Sequence, residues 1–237
     1  PTPTRTATPT DQGAEEREGE QFVNLPPGVD QSGVIDNREL SRVQESLLAN
    51  RSYRLSLTYQ EFVGGNPTGL YTETLRVENA TRYAGSVTRR GRLRTSPFSV
   101  VGGDVYADGS TRYERVNESS VEEGVLLTYD RFVDDYALYL LWFLDVRDSS
   151  LVDQQSRAGT TTTFLTTDEN PEPTIRNTTG SLVVTQDGLI ERARWTYDIS
   201  GTPAGEDDVS VAFEMRISDV GGTAVSEPEW MNATANG

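Results

Sequence analysis

The sequence lacks three residue types on which much protein chemistry depends: its 237 residues include no cysteine, no histidine and no lysine. Without cysteine there are no disulfide bonds, so an apolar core must hold the fold together. The commonest general base, the thiol nucleophile and the Schiff-base amine are all missing, and so are the usual zinc ligands. We therefore expect a protein that is not an enzyme and that holds no metal ion and no cofactor.

Carboxylates are the remaining source of chemistry. Asp134–Asp135 and Asp207–Asp208 are adjacent acid pairs of the type that a carboxylate-dependent hydrolase needs, but among 37 acidic residues such pairs are expected on a solvated surface. Asp104–Asp108 and Asp145–Asp148 offer oxygen ligands for calcium, yet neither has the spacing of an EF-hand. We interpret them as a turn and a helix end.

Positive charge is scarce. The basic residues are 21 arginines, and the net charge is −16, which excludes a basic surface for nucleic acid and disfavours attraction to an anionic membrane. An acidic, lysine-free, threonine-rich chain is typical of salt-saturated environments, where the Debye length falls to about 3 Å and repulsion between carboxylates is screened. We interpret the protein as halophilic, with an ordinary acidic mesophilic protein as the alternative.

The N-terminal part of the chain differs in composition from the rest. Residues 1–33 are a Thr/Pro-rich stretch followed by an acidic stretch, and too few apolar side chains are present there to offset the entropy of ordering. We predict a disordered stalk over 1–33, one folded domain over 34–231 and a disordered tail over 232–237. The alternative to a stalk is a cloning or maturation remnant. The chain starts at Pro1 rather than Met, which indicates the mature end of a secreted protein.

Two helices are predicted. Residues 36–50 carry apolar side chains at helical spacing after Asp36 or Asn37, either of which can cap the helix. Residues 134–147 begin with two acids and continue as an apolar run that is too short to cross a bilayer. A helix that is apolar on every side must be covered on every side.

The remaining segments alternate apolar and polar residues with a period of two, which predicts strands. They fall at 53–59, 69–78, 82–89, 92–101, 103–107, 111–117, 124–132, 149–157, 160–168, 174–186, 188–199 and 207–219. We predict a mainly β (α+β) fold, in which a single curved antiparallel sheet, a half-barrel, carries two helices on its concave face. The helix-covered side should present Tyr53, Leu55, Leu57, Ala193, Trp195, Tyr197, Val209, Val211, Phe213 and Met215.

The chain also resembles a known family. The stretch Asn50–Tyr53 after a helix, and the closing Asp219–Gly221 with Pro228 and Trp230, resemble surface lipoproteins of haloarchaea, which in turn look like the LolA/LprG/LppX superfamily of lipoprotein carriers. The resemblance covers residues 34–231. It implies a half-barrel with helices across an apolar cavity, on an archaeal cell surface. It also implies a lipid-bearing cysteine, which would have to precede Pro1.

From this resemblance we expect a secreted, lipid-anchored domain that binds an apolar or lipid-like ligand beneath helix 134–147. The domain would contact the membrane only through this lipid anchor. The sequence predicts no particular protein partner. The alternative is a structural or adhesive surface glycoprotein with a solid core and no ligand. The candidate lining residues of the cavity are Leu138, Leu141, Trp142, Leu144, Leu55, Leu57, Trp195 and Phe213.

Asn-X-Ser/Thr triplets are more frequent than this composition requires, and they indicate an extracellular, glycosylated surface. A threonine-rich composition is the simpler alternative. The candidate glycosylation sites are Asn50, Asn79, Asn117, Asn177 and Asn232.

The net charge leads to a prediction about salt. When the ionic strength falls well below molar, repulsion among the carboxylates is no longer screened, and the fold should loosen or unfold. Circular dichroism during dialysis from molar to low salt measures this. An unchanged spectrum and melting temperature would contradict the halophilic interpretation.

Overall fold

The structure is a computed structural model, and it describes residues 22–33, 36–95, 103–117, 120–126, 150–157, 160–168, 170, 173–200 and 208–233. Within this part of the chain, eleven strands form one antiparallel sheet, and two helices flank it. The strands are β1 (Tyr53–Val63), β2 (Asn66–Asn79), β3 (Arg82–Gly91), β4 (Gly103–Asp108), β5 (Arg112–Asn117), β6 (Ser120–Gly124), β7 (Ser150–Arg157), β8 (Thr160–Thr167), β9 (Ile175–Thr185), β10 (Ile190–Ile199) and β11 (Val209–Ser218).

The strand order is β6-β5-β4-β3-β2-β1-β11-β10-β9-β8-β7. Two meanders therefore run outward from the centre of the sheet, and the pairing of β1 with β11 joins them. The predicted single antiparallel sheet is confirmed. Within each meander, every strand pairs with the next one along the chain, whereas the consecutive strands β6 and β7 lie at opposite edges of the sheet.

One face of the sheet is apolar. In an antiparallel pair, directly opposite residues point to the same side, and the register places Leu55 opposite Ile217 and Trp195 opposite Phe213. The ten residues predicted to share a face do share it, and all are buried: Tyr53, Leu55, Leu57, Ala193, Trp195, Tyr197, Val209, Val211, Phe213 and Met215. We call this side of the sheet the apolar face.

The turn between β1 and β2 is set by two glycines. Gly64 and Gly65 form a two-residue connection, and both have positive φ, at 56° and 77°. Two-residue hairpin turns require this left-handed backbone, which glycine adopts without a steric penalty.

Helix α1 (Asn37–Leu48) lies within the predicted range of 36–50. Asp36 caps it, since the carboxylate accepts hydrogen bonds from the backbone N–H groups of Arg38 and Glu39 at 3.1 Å each. Leu40 and Leu48 are buried in the same cluster as the apolar face of the sheet. The helix is also fixed to the β9–β10 hairpin, because the Ile190 N–H donates to Gln44 Oε1 at 2.8 Å.

The C-terminal segment packs on the opposite face of the sheet. Helix α2 (Glu229–Ala233) brings Trp230 against a second, smaller cluster that includes Ala84, Tyr106 and Val225. The backbone N–H of Val225 donates to Glu78 Oε2 at 2.9 Å. We call this side of the sheet the outer face.

Two predicted strands differ from the structure where it describes them, and the rest of each range, 96–101 and 127–132, lies outside the described residues. Residues 92–95 of the predicted strand 92–101 are not in a strand, because the N–H groups of Arg94 and Thr95 donate to the Glu61 carboxylate instead of a neighbouring strand. The strand predicted at 124–132 occurs at Ser120–Gly124, where the chain pairs back on β5 in a tight hairpin. The residues that follow Gly124 are apolar, and for that reason the predicted strand begins too late in the chain.

One further prediction stays untested, and another differs from the structure in part. The predicted helix 134–147 lies outside the described residues. Val29, within the range predicted as a stalk, is buried in the core cluster at 8% exposure, and the Val23 N–H donates to Gln154 Oε1 at 3.0 Å. The range 1–33 therefore includes residues that contact the sheet.

A close approach within the sheet generates a stability prediction. A Cβ atom on Gly180 would lie 2.6 Å from Cε2 and 2.7 Å from Nε1 of Trp195, so Gly180→Ala must displace the indole. We expect overpacking to lower the free energy of unfolding by about 1–3 kcal/mol, measured by denaturant titration.

Gly103→Ala is the matched control for this substitution. Gly103 is also a strand glycine, and its added Cβ would come no closer than 3.9 Å to the Arg115 carbonyl oxygen. If both variants unfold at the same denaturant concentration, the position of the Trp195 indole does not require a glycine at position 180.

Candidate functional site

Two carboxylates interrupt the apolar face. Glu61 continues the apolar phase of β1, two residues after Tyr59, and it is 0% exposed. Glu73 occupies the same phase of β2, opposite Leu57, and is 9% exposed. The sequence carries a signal for both that the predicted site residues do not include, since an acid stands where the period-two pattern calls for an apolar residue.

The Glu61 carboxylate is fully engaged by neutral donors. Oε1 accepts hydrogen bonds from the Thr95 hydroxyl at 2.7 Å, the Thr95 N–H at 2.8 Å and the Tyr59 hydroxyl at 3.2 Å. Oε2 accepts the Arg94 N–H at 2.5 Å. These bonds compensate for the loss of hydration on burial, and they fasten the segment after β3 to the end of β1.

Tyrosines surround the two carboxylates. Tyr59 and Tyr71 are opposite each other on β1 and β2, and both are 0% exposed. The Tyr71 hydroxyl donates to Glu73 Oε2 at 3.0 Å. The apolar face therefore has a polar end, at which phenol and carboxylate groups are held in fixed pairs.

Burial also changes the acidity of two phenols. It raises the pKa of Tyr59 well above its ordinary value, with a further contribution from the neighbouring Tyr197. Burial likewise raises the pKa of Tyr197. A phenolate in this position would be poorly solvated, so both side chains act as neutral hydroxyl groups over the ordinary range of pH.

The structure brings the described cavity candidates together. Leu55, Leu57, Trp195 and Phe213 share the apolar face, and their exposed fractions are 2%, 1%, 3% and 3%. Such burial means that other atoms of the chain cover them, so a ligand reaches them only if that cover moves. The other candidates, Leu138, Leu141, Trp142 and Leu144, lie outside the described residues.

Two buried hydrogen-bond donors stand out on the β9–β10 side of this face. Neither the Trp195 indole Nε1 nor the Thr178 hydroxyl has a hydrogen-bond partner among the described residues, although the two residues are only 3% exposed each. Trp195 lies over Gly180, two residues along β9 from Thr178. An unsatisfied buried donor costs about 1–3 kcal/mol, and an acceptor placed there would recover that free energy.

Two of the carboxylates considered as ligands, Asp104 and Asp108, have local partners. Asp108 accepts from the Ser110 and Thr111 N–H groups at 2.7 and 2.8 Å, which lowers its pKa and confirms the turn interpretation. Asp104 forms an ion pair with Arg115 at 3.2 Å. Within the described ranges, no group of three or more acids could hold a metal ion. Asp134, Asp135, Asp145, Asp148 and Asp207 lie outside the described residues.

Four of the candidate glycosylation sites lie on the surface. Asn50, Asn79, Asn117 and Asn177 are all exposed. The Asn177 amide nitrogen already donates to Asp198 Oδ2 at 2.7 Å, so a glycan there would compete with that bond. Asn232 lies within α2.

Comparison with known proteins gives one match to a family model. Residues 144–234, which include β7 to β11 and α2, match a family of unknown function, DUF7537. No curated protein matches the sequence. In the described part of the chain, no helix has both the length and the apolar character that a membrane span requires.

Several solved structures are similar to the chain. A LolA superfamily protein from Nitrosomonas europaea is 10% identical, with a TM-score of 0.26, over 81% of this chain and 95% of that one. The lipoprotein LppX of Mycobacterium tuberculosis is 10% identical, with a TM-score of 0.37, over 81% and 98%. LprF from Mycobacterium bovis is 10% identical, with a TM-score of 0.35, over 82% and 96%. Each of these structures is only distantly similar to this chain.

The buried tyrosines generate a prediction about pH. Because Tyr59 and Tyr197 have raised pKa values in the folded state, their contribution to stability is complete below the unfolded value of about 10 and is lost as the pH rises beyond it. We expect the free energy of unfolding to fall above this pH, and Tyr197→Phe to reduce the slope by about 1.4 kcal/mol per pH unit.

Denaturant titrations at several alkaline pH values, with tyrosinate absorbance followed in parallel, measure both effects. The folded protein should show fewer tyrosinates than its 10 tyrosines allow. If all ten ionise before the protein unfolds, the burial of these phenols is not maintained in solution.

Proposed function

We propose that the protein binds an apolar or lipid-like ligand against the apolar face of the sheet. The observation that carries this proposal is the Trp195 indole, which is 3% exposed and whose Nε1 donor finds no acceptor in the described part of the chain. Buried donors are almost always satisfied in native proteins. An oxygen atom of a ligand, such as that of an ester or ether, would satisfy this one.

The apolar face supplies the larger share of the binding free energy. Phe213 lies directly opposite Trp195, and Leu55 and Leu57 lie on the same face on β1, beyond β11. Each methylene group buried against such side chains contributes about 0.8 kcal/mol. A long hydrocarbon chain therefore binds with few polar contacts.

The cover of the face is proposed to come from the apolar run between Asp135 and Asp145, with Leu138, Leu141, Trp142 and Leu144 towards the ligand. The basis for this step is the sequence, in which these residues form an uncharged run between acids. A run of this type needs apolar surroundings on every side. The sheet provides one side, and a ligand chain would provide the other.

We also propose that the protein acts at the cell surface. The Thr/Pro-rich N-terminal residues and the exposed asparagines of the Asn-X-Ser/Thr triplets support this location, because such segments separate domains from surfaces and such triplets are glycosylated in secreted proteins. A lipid anchor on a residue before Pro1 would tether the domain to the membrane.

One observation favours the alternative, a structural or adhesive surface protein with a solid core. Leu57, at 1% exposure, and Phe213, at 3%, have almost no surface accessible to a water-sized sphere. Side chains that line an empty cavity would have a larger surface accessible to such a sphere. The choice between the two functions therefore depends on whether the cover of the apolar face opens.

A lipid-uptake experiment tests the proposed function. In high salt, the wild-type protein should take up a fluorescent lipid probe that contains an ester group. Leu141→Arg should abolish uptake, because a charge on an apolar ligand surface is poorly solvated. Trp195→Phe keeps an aromatic ring at this position but removes the indole N–H donor. The loss of one hydrogen bond of about 1 kcal/mol should weaken binding several-fold.

Val116→Arg is the matched control. It introduces the same charge at a residue that is 55% exposed on β5, and uptake should equal that of the wild type. If the wild-type protein takes up no probe, the carrier proposal fails and the solid-core alternative stands. If Trp195→Phe binds the probe as tightly as the wild type, the indole donor does not contact the ligand.

A further inference from the structure

A groove on the outer face of the sheet lies away from the apolar face and has a different character. Its volume is about 490 Å³, within the range of sites for small molecules. Neighbouring strands β1, β2, β3 and β4 form its floor, and the C-terminal segment forms one wall with Pro228 and Trp230. Nothing in the apolar-ligand proposal uses this groove.

Two arginines lie side by side in the groove. Arg54 on β1 is directly opposite Arg76 on β2, and both are exposed. Like charges at opposite positions of an antiparallel pair destabilise a sheet. The pairing is notable in a chain with 21 basic and 37 acidic residues, because an acid at either position would have removed the repulsion.

The two guanidinium groups differ in their partners. Arg54 Nε forms an ion pair with Asp219 Oδ2 at 3.1 Å, which neutralises one of the two charges. For Arg76, no carboxylate of the described residues lies within ion-pair distance. Asp104, an acid in the lining of the groove, is engaged by Arg115 at 3.2 Å. The groove therefore contains one uncompensated positive charge, with a donor geometry that fits carboxylate, sulfate or phosphate oxygens.

The floor and the C-terminal wall of the groove add two further types of contact. Ser56, Thr74 and Ser86 contribute hydroxyl groups along the floor, which can donate and accept hydrogen bonds. Trp230 is half-buried because its indole packs on the small cluster of the outer face. An aromatic ring that is fixed from behind offers its remaining surface for apolar contact with a ligand.

We propose that this groove binds an anionic saccharide unit, such as a uronic acid residue of a surface polysaccharide. The carboxylate would pair with Arg76, the sugar hydroxyls would contact the serine and threonine side chains, and the apolar side of the pyranose ring would lie against Trp230. A simple inorganic anion uses only the first of these contacts. The combination of charge, hydroxyl groups and an indole wall therefore favours a charged sugar.

Calorimetric titration with digalacturonate, in a salt concentration at which the protein is folded, tests the proposal. The wild-type protein should bind digalacturonate at least tenfold more tightly than neutral digalactose. Arg76→Gln should weaken digalacturonate binding at least tenfold, and Trp230→Ala should weaken both sugars. Arg76→Gln should also melt at or above the wild-type temperature, because it removes the repulsion with Arg54.

Arg90→Gln is the matched control, since Arg90 is an exposed arginine of β3 outside the groove, and its loss changes the net charge equally. It should bind as the wild type does. If Arg76→Gln and Arg90→Gln weakened digalacturonate binding equally, the effect would come from the net charge of the protein and the proposal would be overturned. It would also be overturned if digalacturonate did not bind, or if inorganic sulfate bound equally well and Trp230→Ala had no effect.

Discussion

The pairing of β1 with β11 is the constraint on which the rest of the structure depends. It joins residues at opposite ends of the domain, as in Leu55 opposite Ile217, and in the described chain it is the one link between the two meanders. Bringing such distant segments together costs loop-closure entropy. Apolar side chains on both strands offset that cost, because all five odd-numbered residues of β11 from Val209 to Ile217 are buried.

This central pairing gives the sheet two chemically different faces. The apolar face collects the large side chains of the core strands and is closed at one end by Glu61, whose hydrogen bonds hold Arg94 and Thr95. On β1 and β2 the outer face presents mainly polar side chains, and the C-terminal segment covers a small apolar cluster there. Since adjacent residues of a strand point to opposite sides, one strand contributes to both: β1 carries Leu55 to the apolar face and Arg54 to the outer groove.

Polar groups inside the apolar face fall into two classes with different consequences. Glu61 is buried but satisfied by four donors, and so it fixes local structure. Trp195 Nε1 and Thr178 Oγ1 are buried without a described partner, and so they are places where binding can still gain free energy. The same low dielectric environment strengthens the first class and penalises the second.

The type of most elements, the shared face of ten residues and the cap of α1 could be predicted from the sequence, because alternating and helical patterns reflect which side chains are buried. The ends of β3 and β6, the roles of Glu61 and Glu73, and the meeting of Arg54, Arg76 and Trp230 in one groove became visible only in the folded chain. These features depend on strand register and on contacts between residues far apart in the chain. A pattern of alternating residues shows which side chains share a face, but it does not show which strand lies beside them.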